Sequence, residues 1–220
     1  MEGIYLVTDR SLCGPRAIDA VITAAVAGGV RYVQLREKNV TTRFFVEEAR
    51  RIKLLLKPRM VPLIINDRVD VAFAAEADGV HLGQDDMPCS LARKLLGNQA
   101  LIGLSVECWE DVVRAQEQDI DYLGVSPVFP TSTKTDTKGC WGLEGLAKIK
   151  LYSRHPLVAI GGINETTAAV TIRAGADCLA VVSAICAAPD QREAAERLAV
   201  IIASAPTDKN HVHGRGDRGL

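Results

Sequence analysis

The chain has 220 residues, of which 48% are hydrophobic and 24% charged, and its formal net charge is -1. These values are typical of one globular domain, and because neither sign of charge dominates, they argue against a nucleic-acid-binding or membrane-surface protein. No apolar run approaches the ~20 residues of a membrane span, and the six cysteines form no Cys-x-x-Cys pair. We expect a cytoplasmic protein. Its oligomeric state is left open, with a homo-oligomer as one possibility.

Short apolar or β-branched runs alternate with amphipathic stretches along the whole chain. The first nine residues are typical of a strand rather than of a secretory signal. In chain order, strands are predicted at residues 4–8, 32–36, 62–65, 79–82, 101–105, 122–125, 157–160 and 178–182, and helices at residues 17–27, 41–56, 69–75, 90–96, 110–118, 143–152, 165–174 and 193–203.

This order predicts an α/β fold, a single (β/α)8 TIM barrel. The strands are continuously apolar, as expected when both faces of a sheet are covered, and strict alternation with helices predicts parallel strands. Eight such units close into a barrel. An open, doubly wound sheet is the alternative, but it usually stops near six strands, and no GxGxxG follows the first strand.

The barrel is predicted to form one catalytic domain over residues 1–204. Residues 205–220 are polar and glycine-rich and have no apolar periodicity, so we expect a disordered C-terminal tail.

Polar or glycine residues follow most of the predicted strands. The carboxyl ends of barrel strands share one rim, which is where active sites lie. The rim residues are Gln34, Arg36 and Lys38 after the second strand, Asn66 and Asp67 after the third, Asp86 after the fourth, Ser105 at the end of the fifth, Thr131, Thr133 and Lys134 after the sixth, Gly161 and Gly162 after the seventh, and Val182 and Ser183 after the eighth.

The chemistry of these residues predicts two anion sites. Arg36, Lys38 and Lys134 are cations that can hold phosphate oxygens. Asp67 and Asp86 offer the hard oxygen ligands that suit Mg2+ together with substrate phosphates. Backbone N–H groups after the seventh and eighth strands are at the position where barrels commonly bind a phosphate.

Each feature also has a simpler interpretation. Arg36 and Lys38 can form a solvated strand end, Asp67 can cap the next helix, and Asp86 can be an ordinary loop acid. The glycine pair can be a tight turn, and His81, inside a strand, favours a core or supporting role. Their common position on one predicted rim favours a functional site.

Eight segments of the chain resemble the thiamine phosphate synthase family, in order and from about residue 4 to residue 203. The segments are residues 5–9 (YLVTD), 34–38 (QLREK), 65–68 (INDR), 79–84 (GVHLGQ), 127–131 (PVFPT), 133–134 (TK), 159–163 (AIGGI) and 182–185 (VSAI). Two positions depart from the family's usual pattern, namely Ser126 in place of glycine before Pro127, and Glu107 where a histidine is often found.

The resemblance implies a Mg2+-dependent transferase that joins hydroxymethylpyrimidine diphosphate to hydroxyethylthiazole phosphate, giving thiamine phosphate and pyrophosphate. It implies the following roles: Arg36, Lys38, Asn66 and Lys134 contact the diphosphate, Asp67 and Asp86 hold Mg2+, Gln34 and Ser105 lie by the pyrimidine or its leaving group, and Thr131, Thr133, Gly162, Val182 and Ser183 hold the thiazole phosphate. Of these, Arg36, Lys38, Ser105 and Lys134 are the expected catalytic residues.

The charges around the leaving group favour a dissociative reaction through a pyrimidine cation. The thiazole nitrogen is already a nucleophile, which agrees with the lack of an obvious Ser/His/Asp or Cys/His set in the sequence. Two alternatives are a thiazole tautomerase, which needs only the thiazole phosphate site, and a non-catalytic barrel that binds a phosphorylated ligand.

Overall fold

Eight parallel strands pair in chain order and close into one barrel in the computed structural model, which describes residues 1–131 and 139–205. The strands are β1 (Gly3–Val7), β2 (Val30–Leu35), β3 (Leu63–Asn66), β4 (Gly79–Leu82), β5 (Leu101–Val106), β6 (Tyr122–Val125), β7 (Leu157–Ala159) and β8 (Cys178–Val181). The ring is completed where residues 3–6 of β1 pair with residues 178–181 of β8. The predicted (β/α)8 barrel is confirmed, and the open sheet is wrong.

Helices connect successive strands and cover the outside of the barrel. Over the described ranges they are α1 (Ile18–Ala27), α2 (Thr42–Leu56), α3 (Val69–Ala74), α4 (Cys89–Leu96), α5 (Trp109–Ala115), α6 (Gly142–Tyr152), α7 (Ala168–Arg173), α8 (Ser183–Cys186) and α9 (Gln191–Ser204), with 3-10 helices at Arg10–Cys13 and Lys57–Arg59. None of these helices is both long enough and apolar enough to cross a membrane. The part of the predicted disordered tail that follows Ala205 lies outside the described residues.

Several helices differ from the prediction; α5, for example, ends at Ala115 rather than at residue 118. The seventh was expected to begin at residue 165, but α7 begins at Ala168, because the Asn164 side chain accepts the N–H groups of Thr166 and Thr167, at 2.9 and 3.3 Å, and holds these residues in a turn. The four-residue helix α8 was not predicted. It begins directly after β8, within one of the predicted rim segments.

The strands separate two apolar cores. Alternate side chains of a strand point to opposite faces, so that Ile4 and Leu6 of β1 pack in the large core beneath the helices, whereas Tyr5 and Val7 belong to a smaller cluster inside the barrel. Tyr122 of β6 lies in that inner cluster too. The interior of the barrel is therefore a packed core over the described residues, which leaves the rim as the expected place for a ligand.

Three aspartates fasten the strands together at their amino-terminal ends. Each one precedes an even-numbered strand, accepts a backbone N–H from the strand before it, and pairs with a base on the helix that leads into that earlier strand. The contacts are Asp78 with the Leu63 N–H at 2.7 Å and with Lys53, Asp121 with the Ile102 N–H at 2.8 Å and Arg93 at 2.8 Å, and Asp177 with the Leu157 N–H at 2.8 Å and Lys150 at 2.6 Å. These contacts stabilise the amino-terminal end of the barrel and involve no residue of the opposite rim.

We predict that Asp121→Ala lowers the free energy of unfolding by on the order of 1–3 kcal/mol, because the Ile102 N–H and the largely buried Arg93 lose their shared acceptor. Asp119→Ala is the matched control. Its carboxylate contacts the same arginine at 3.3 Å but is 73% exposed, and exposed pairs contribute little. Urea denaturation of both variants measures the difference, and equal losses would contradict the assigned role of Asp121.

Candidate active site

A cavity of about 980 Å³ opens at the carboxyl ends of the strands. It is lined by every predicted site residue in the described part of the chain, namely Gln34, Arg36, Lys38, Asn66, Asp67, Asp86, Ser105, Thr131, Gly162, Val182 and Ser183. Thr133 and Lys134 lie outside the described residues. The barrel thus brings together side chains that are far apart in sequence, as the rim argument required.

Two carboxylates converge on one side of this cavity. Asp67 follows β3 with a φ of 62°, a left-handed conformation that is uncommon outside glycine, and its N–H donates to the His81 carbonyl at 2.8 Å. Asp86 Oδ2 accepts the Gly83 N–H at 2.6 Å. Burial, together with the negative charge of nearby Asp67, raises the pKa of the Asp86 carboxyl. The N-cap of α3 is Arg68 rather than Asp67, so the interpretation of Asp67 as a helix cap is wrong.

Positive charge and a polar amide adjoin the acidic pair. Lys38 Nζ lies 2.5 Å from Asp67 Oδ2, and Arg36 Nη1 lies 3.7 Å from Asp9 Oδ2. The Asn66 side-chain nitrogen is buried and has no hydrogen-bond partner among residues 1–131 and 139–205. A buried donor without an acceptor costs about 1–3 kcal/mol, so an acceptor arriving in the cavity would be favourable here.

Hydrogen-bonded side chains form the floor of the cavity, in a row that we call the floor row: Gln34, Tyr5, Tyr122, His81 and Ser105. The Gln34 amide nitrogen donates to the Tyr5 hydroxyl at 3.0 Å, and the Tyr5 and Tyr122 hydroxyls are 2.9 Å apart. His81 follows, with Nδ1 at 3.1 Å from the Tyr122 hydroxyl and Nε2 at 2.9 Å from Ser105 Oγ.

The two tyrosines of the floor row were missed by sequence reasoning. They lie in apolar strands and are fully buried, so the sequence classes them with the core. The signal that could have found them is the inward-facing alternation of β1 and β6, which places a phenol group of each strand inside the barrel, in a cluster that is otherwise mostly aliphatic or small. His81, predicted to have a core or supporting role, lies between the tyrosines and Ser105.

Backbone groups line the other side of the cavity. Gly161 and Gly162 have φ values of 96° and 67°, and a Cβ at Gly162 would lie 2.7 Å from the Phe129 Cβ, so this turn requires glycine. Next to it, Val182 is the N-cap of α8 and Ser183 its first residue. The first N–H groups of a helix lack partners within the helix. Backbone donors at two adjacent strand ends can therefore bind an anion.

The outer edge of the cavity carries residues of α5 that the sequence did not single out. Arg114 contacts Asp111 at 2.6 Å and the Gln84 side chain at 3.2 Å. Burial alone would raise the pKa of Asp111, but the N–H groups of Glu107 and Cys108 that it accepts, with Arg114, hold that pKa below its usual value. Glu107 itself also lines the cavity.

The fold and the position of this cavity define a (β/α)8-barrel enzyme, because barrels carry their active sites at this rim. The sequence model described as thiamine monophosphate synthase matches residues 4–185. The chain belongs to the thiamine monophosphate synthase family. The resemblance found in the sequence is thereby confirmed.

Individual relatives agree with this membership. The thiamine-phosphate synthase of Albidiferax ferrireducens is 55% identical over 199 residues, covering 90% of this chain and 91% of the relative. The thiamine-phosphate synthase of Leptospira biflexa is 52% identical over 198 residues, covering 88% and 94%. Among solved structures, thiamine phosphate pyrophosphorylase from Pyrococcus furiosus matches with a TM-score of 0.85 and 38% identity, covering 92% of this chain and 96% of that one.

More distant structures share the fold alone. The 3-hexulose-6-phosphate synthase from Salmonella typhimurium has a TM-score of 0.70 at 21% identity and covers 93% of this chain. A common barrel with different chemistry means that the activity has to be argued from the cavity.

Proposed function

We propose that this chain is a Mg2+-dependent thiamine-phosphate synthase, which joins hydroxymethylpyrimidine diphosphate to hydroxyethylthiazole phosphate and releases pyrophosphate. The observation that carries the proposal is the arrangement of one cavity. An acidic pair with adjacent cations lies at β2 to β4, and backbone donors lie at β7 and β8, on the other side of the ring. Two different phosphorylated substrates can thus be held together.

The acidic side fits a diphosphate with a magnesium ion. Asp67 and Asp86 would hold the ion, since burial and the negative charge of Asp67 raise the pKa of the Asp86 carboxyl, and a shared divalent cation would offset that repulsion. When bound, the ion would neutralise charge that grows on the leaving pyrophosphate. Lys38, which pairs with Asp67, would turn to a phosphate oxygen instead.

Other residues would complete the diphosphate site. Arg36 would form charge-assisted hydrogen bonds to the same group. The Asn66 amide would gain the acceptor that it lacks within the described structure. Lys134 remains a proposed catalytic cation outside the described residues.

The glycine side fits the thiazole phosphate. Gly162, Val182 and Ser183 would hold its oxygens through backbone N–H groups and the serine hydroxyl. Thr131, which also lines the cavity, and Thr133 would add hydroxyl donors. This phosphate keeps its charge throughout the reaction, so fixed backbone dipoles suit it.

The reaction then follows from charge and position. The CH2–O bond of the pyrimidine breaks, its electron pair leaves with pyrophosphate, and the aminopyrimidine ring delocalises the positive charge. The thiazole nitrogen donates its lone pair to that carbon and forms the C–N bond. Arg36, Lys38 and Ser105 would lie beside the pyrimidine and its leaving group and would stabilise the departing charge. Holding both substrates in one cavity supplies proximity.

The two alternatives are less well supported. A thiazole tautomerase or a non-catalytic phosphate-binding barrel would use the glycine side, but neither gives a role to the acidic pair and its cations. A cytoplasmic location and a homo-oligomeric state stay predictions.

We predict that the wild-type chain forms thiamine phosphate and pyrophosphate from the two substrates with Mg2+, and loses this activity in excess chelator. Asp67→Asn should lower kcat by at least roughly 100-fold, because a charged ligand near the leaving group is lost. Asp70→Asn is the matched control, since that exposed carboxylate on α3 pairs with Arg68. Circular dichroism checks that both variants fold.

Each outcome of this assay is decisive for a different claim. Absence of product with the wild-type chain would contradict the synthase function. Full activity in chelator would contradict only the magnesium requirement.

We predict that the two anion sites are separable. Arg36→Ala should raise the KM for the pyrimidine diphosphate by at least about tenfold, and Gly162→Ala should do the same for the thiazole phosphate, because its Cβ would displace the loop. Gly97→Ala is the matched control for the glycine: its φ is 82°, but nothing lies within 4 Å of the added Cβ. Variants that affect both substrates equally would argue against two sites.

We predict that a trifluoromethyl group in place of the pyrimidine methyl slows the chemical step strongly, because it destabilises a positive charge on the ring. A displacement in which bond formation keeps pace with bond breaking would respond weakly. Single-turnover rates with the two pyrimidines measure the effect without product release. Equal rates would contradict the dissociative path and leave the function standing.

A further inference from the structure

The floor row crosses the barrel between two groups that line the cavity. Gln34 comes from β2 and Ser105 from β5, and three side chains of β1, β6 and β4 connect them. Its hydrogen bonds join residues that are distant in sequence: Tyr5 and Tyr122, for example, are 117 positions apart. Such a series transmits the direction of its hydrogen bonds from one end to the other.

The Gln34 end sets that direction. Its amide nitrogen can only donate, and it donates to the Tyr5 oxygen. If each hydroxyl then donates to the next group of the row, Tyr5 donates to the Tyr122 oxygen and Tyr122 donates to His81 Nδ1. A neutral imidazole that accepts at Nδ1 carries its proton on Nε2, and Nε2 lies 2.9 Å from Ser105 Oγ.

The two ends consequently differ in polarity. Ser105 accepts from His81 and keeps its own hydroxyl hydrogen for a partner in the cavity. The Gln34 nitrogen gives one of its two hydrogens to Tyr5, and the Gln34 carbonyl oxygen stays available as an acceptor. Toward the cavity the floor row can thus present the Ser105 hydroxyl as a donor and the Gln34 carbonyl oxygen as an acceptor. An aminopyrimidine is complementary to this pair, since its amino group donates and its ring nitrogen accepts.

We propose that Tyr5, Tyr122 and His81 are positioning residues that fix the polarity of the floor row, so that Gln34 accepts from, and Ser105 donates to, the aminopyrimidine ring. The identity of the ring rests on the proposed function. The polarity of the row does not.

The surroundings of the row support this assignment. Burial raises the pKa of both Tyr5 and Tyr122, so each phenol keeps the hydrogen that the row requires. Glycine stands where the row passes β5 and β6. A Cβ at Gly103 would lie 2.4 Å from the Tyr122 hydroxyl and 2.5 Å from His81 Nδ1, and one at Gly124 would lie 2.7 Å from His81 Cε1. The barrel interior is shaped to admit these rings.

The opposite polarity would present a different pattern. If Tyr5 donated to the Gln34 oxygen, every bond of the row would reverse, and His81 would carry its proton on Nδ1. Ser105 would then donate to His81 and offer only an acceptor, and Gln34 would offer donors. That pattern suits a ring with a carbonyl and an N–H in place of the amino group and ring nitrogen.

The tautomer of His81 tests the polarity directly. Nitrogen NMR of the isotopically labelled full chain at about pH 8, where an ordinary imidazole is neutral, separates the two tautomers, and His81→Asn assigns the signals. We expect the Nε2–H form. The Nδ1–H form would overturn the proposal, whatever the enzyme's substrate.

Removal of one link tests the transmission. Tyr122→Phe deletes the donor to His81 Nδ1 and should convert the single tautomer into a mixture. Tyr32→Phe is the matched control, because its ring packs on Tyr5 at a centroid distance of 5.8 Å but does not belong to the floor row. An unchanged tautomer in Tyr122→Phe would mean that the row does not set it, and the proposal would fail.

Substrate selectivity tests the consequence for function. The wild-type enzyme should favour the aminopyrimidine diphosphate over the analogue in which a carbonyl replaces the amino group, and Tyr122→Phe should reduce the ratio of their kcat/KM values at least about tenfold. The KM for the thiazole phosphate should stay near the wild-type value.

The outcomes of the selectivity assay separate the two proposals. A fall in rate with an unchanged ratio would indicate a merely structural role for the row and overturn the inference. A wild-type chain that forms no product would instead contradict the proposed function, and the tautomer would still report the polarity.

Discussion

Closure of the barrel is the constraint on which the rest of the structure depends. The pairing of β1 with β8 completes the ring and makes neighbours of segments from opposite ends of the chain. Only in a closed ring do the backbone donors after β7 and β8 face the acidic pair after β3 and β4 across one cavity. The same closure puts Tyr5 and Tyr122 in hydrogen-bond contact at 2.9 Å. Both the rim and the floor of the cavity are consequences of one strand pairing.

The two ends of the barrel are stabilised differently. At the amino-terminal end, Asp78, Asp121 and Asp177 satisfy backbone N–H groups and neighbouring bases. At the carboxyl end, the structure keeps unfavourable features: a left-handed Asp67, a partly buried carboxyl at Asp86 beside it, and a buried amide at Asn66 without an acceptor in the described chain. Such features persist when the surrounding structure is stable enough to hold them, and they concentrate at functional sites. A ligand with cation and phosphate oxygens would relieve them.

Much of the fold and of the rim could be predicted because both follow from periodicity. The strand ends identify Gln34, Arg36 and Lys38 as neighbours, and the cavity does contain all three. The start of α7 could not be predicted, because it depends on the Asn164 side chain competing for backbone N–H groups. The floor row could not be predicted either, since its partners come from five strands and the sequence gives no distance between Tyr5 and Tyr122. Whether the proposed ligands bind where the resemblance implies is a question of chemistry that periodicity does not address.

The two sides of the cavity differ in a way that matches the proposed reaction. In the proposed reaction the anion on the acidic side would leave, and its charge would grow as the bond breaks. The groups available there are the long side chains of Arg36 and Lys38 and a carboxylate pair that would suit a divalent ion. Lys38 and Arg36 have carboxylate partners of their own, at 2.5 and 3.7 Å, to which they can return after the product departs. On the glycine side the proposed thiazole phosphate would keep its charge throughout the reaction, and rigid backbone donors would cost little reorganisation there. The proposed site would thus use side-chain charges for the anion whose charge grows and fixed backbone dipoles for the anion whose charge stays constant.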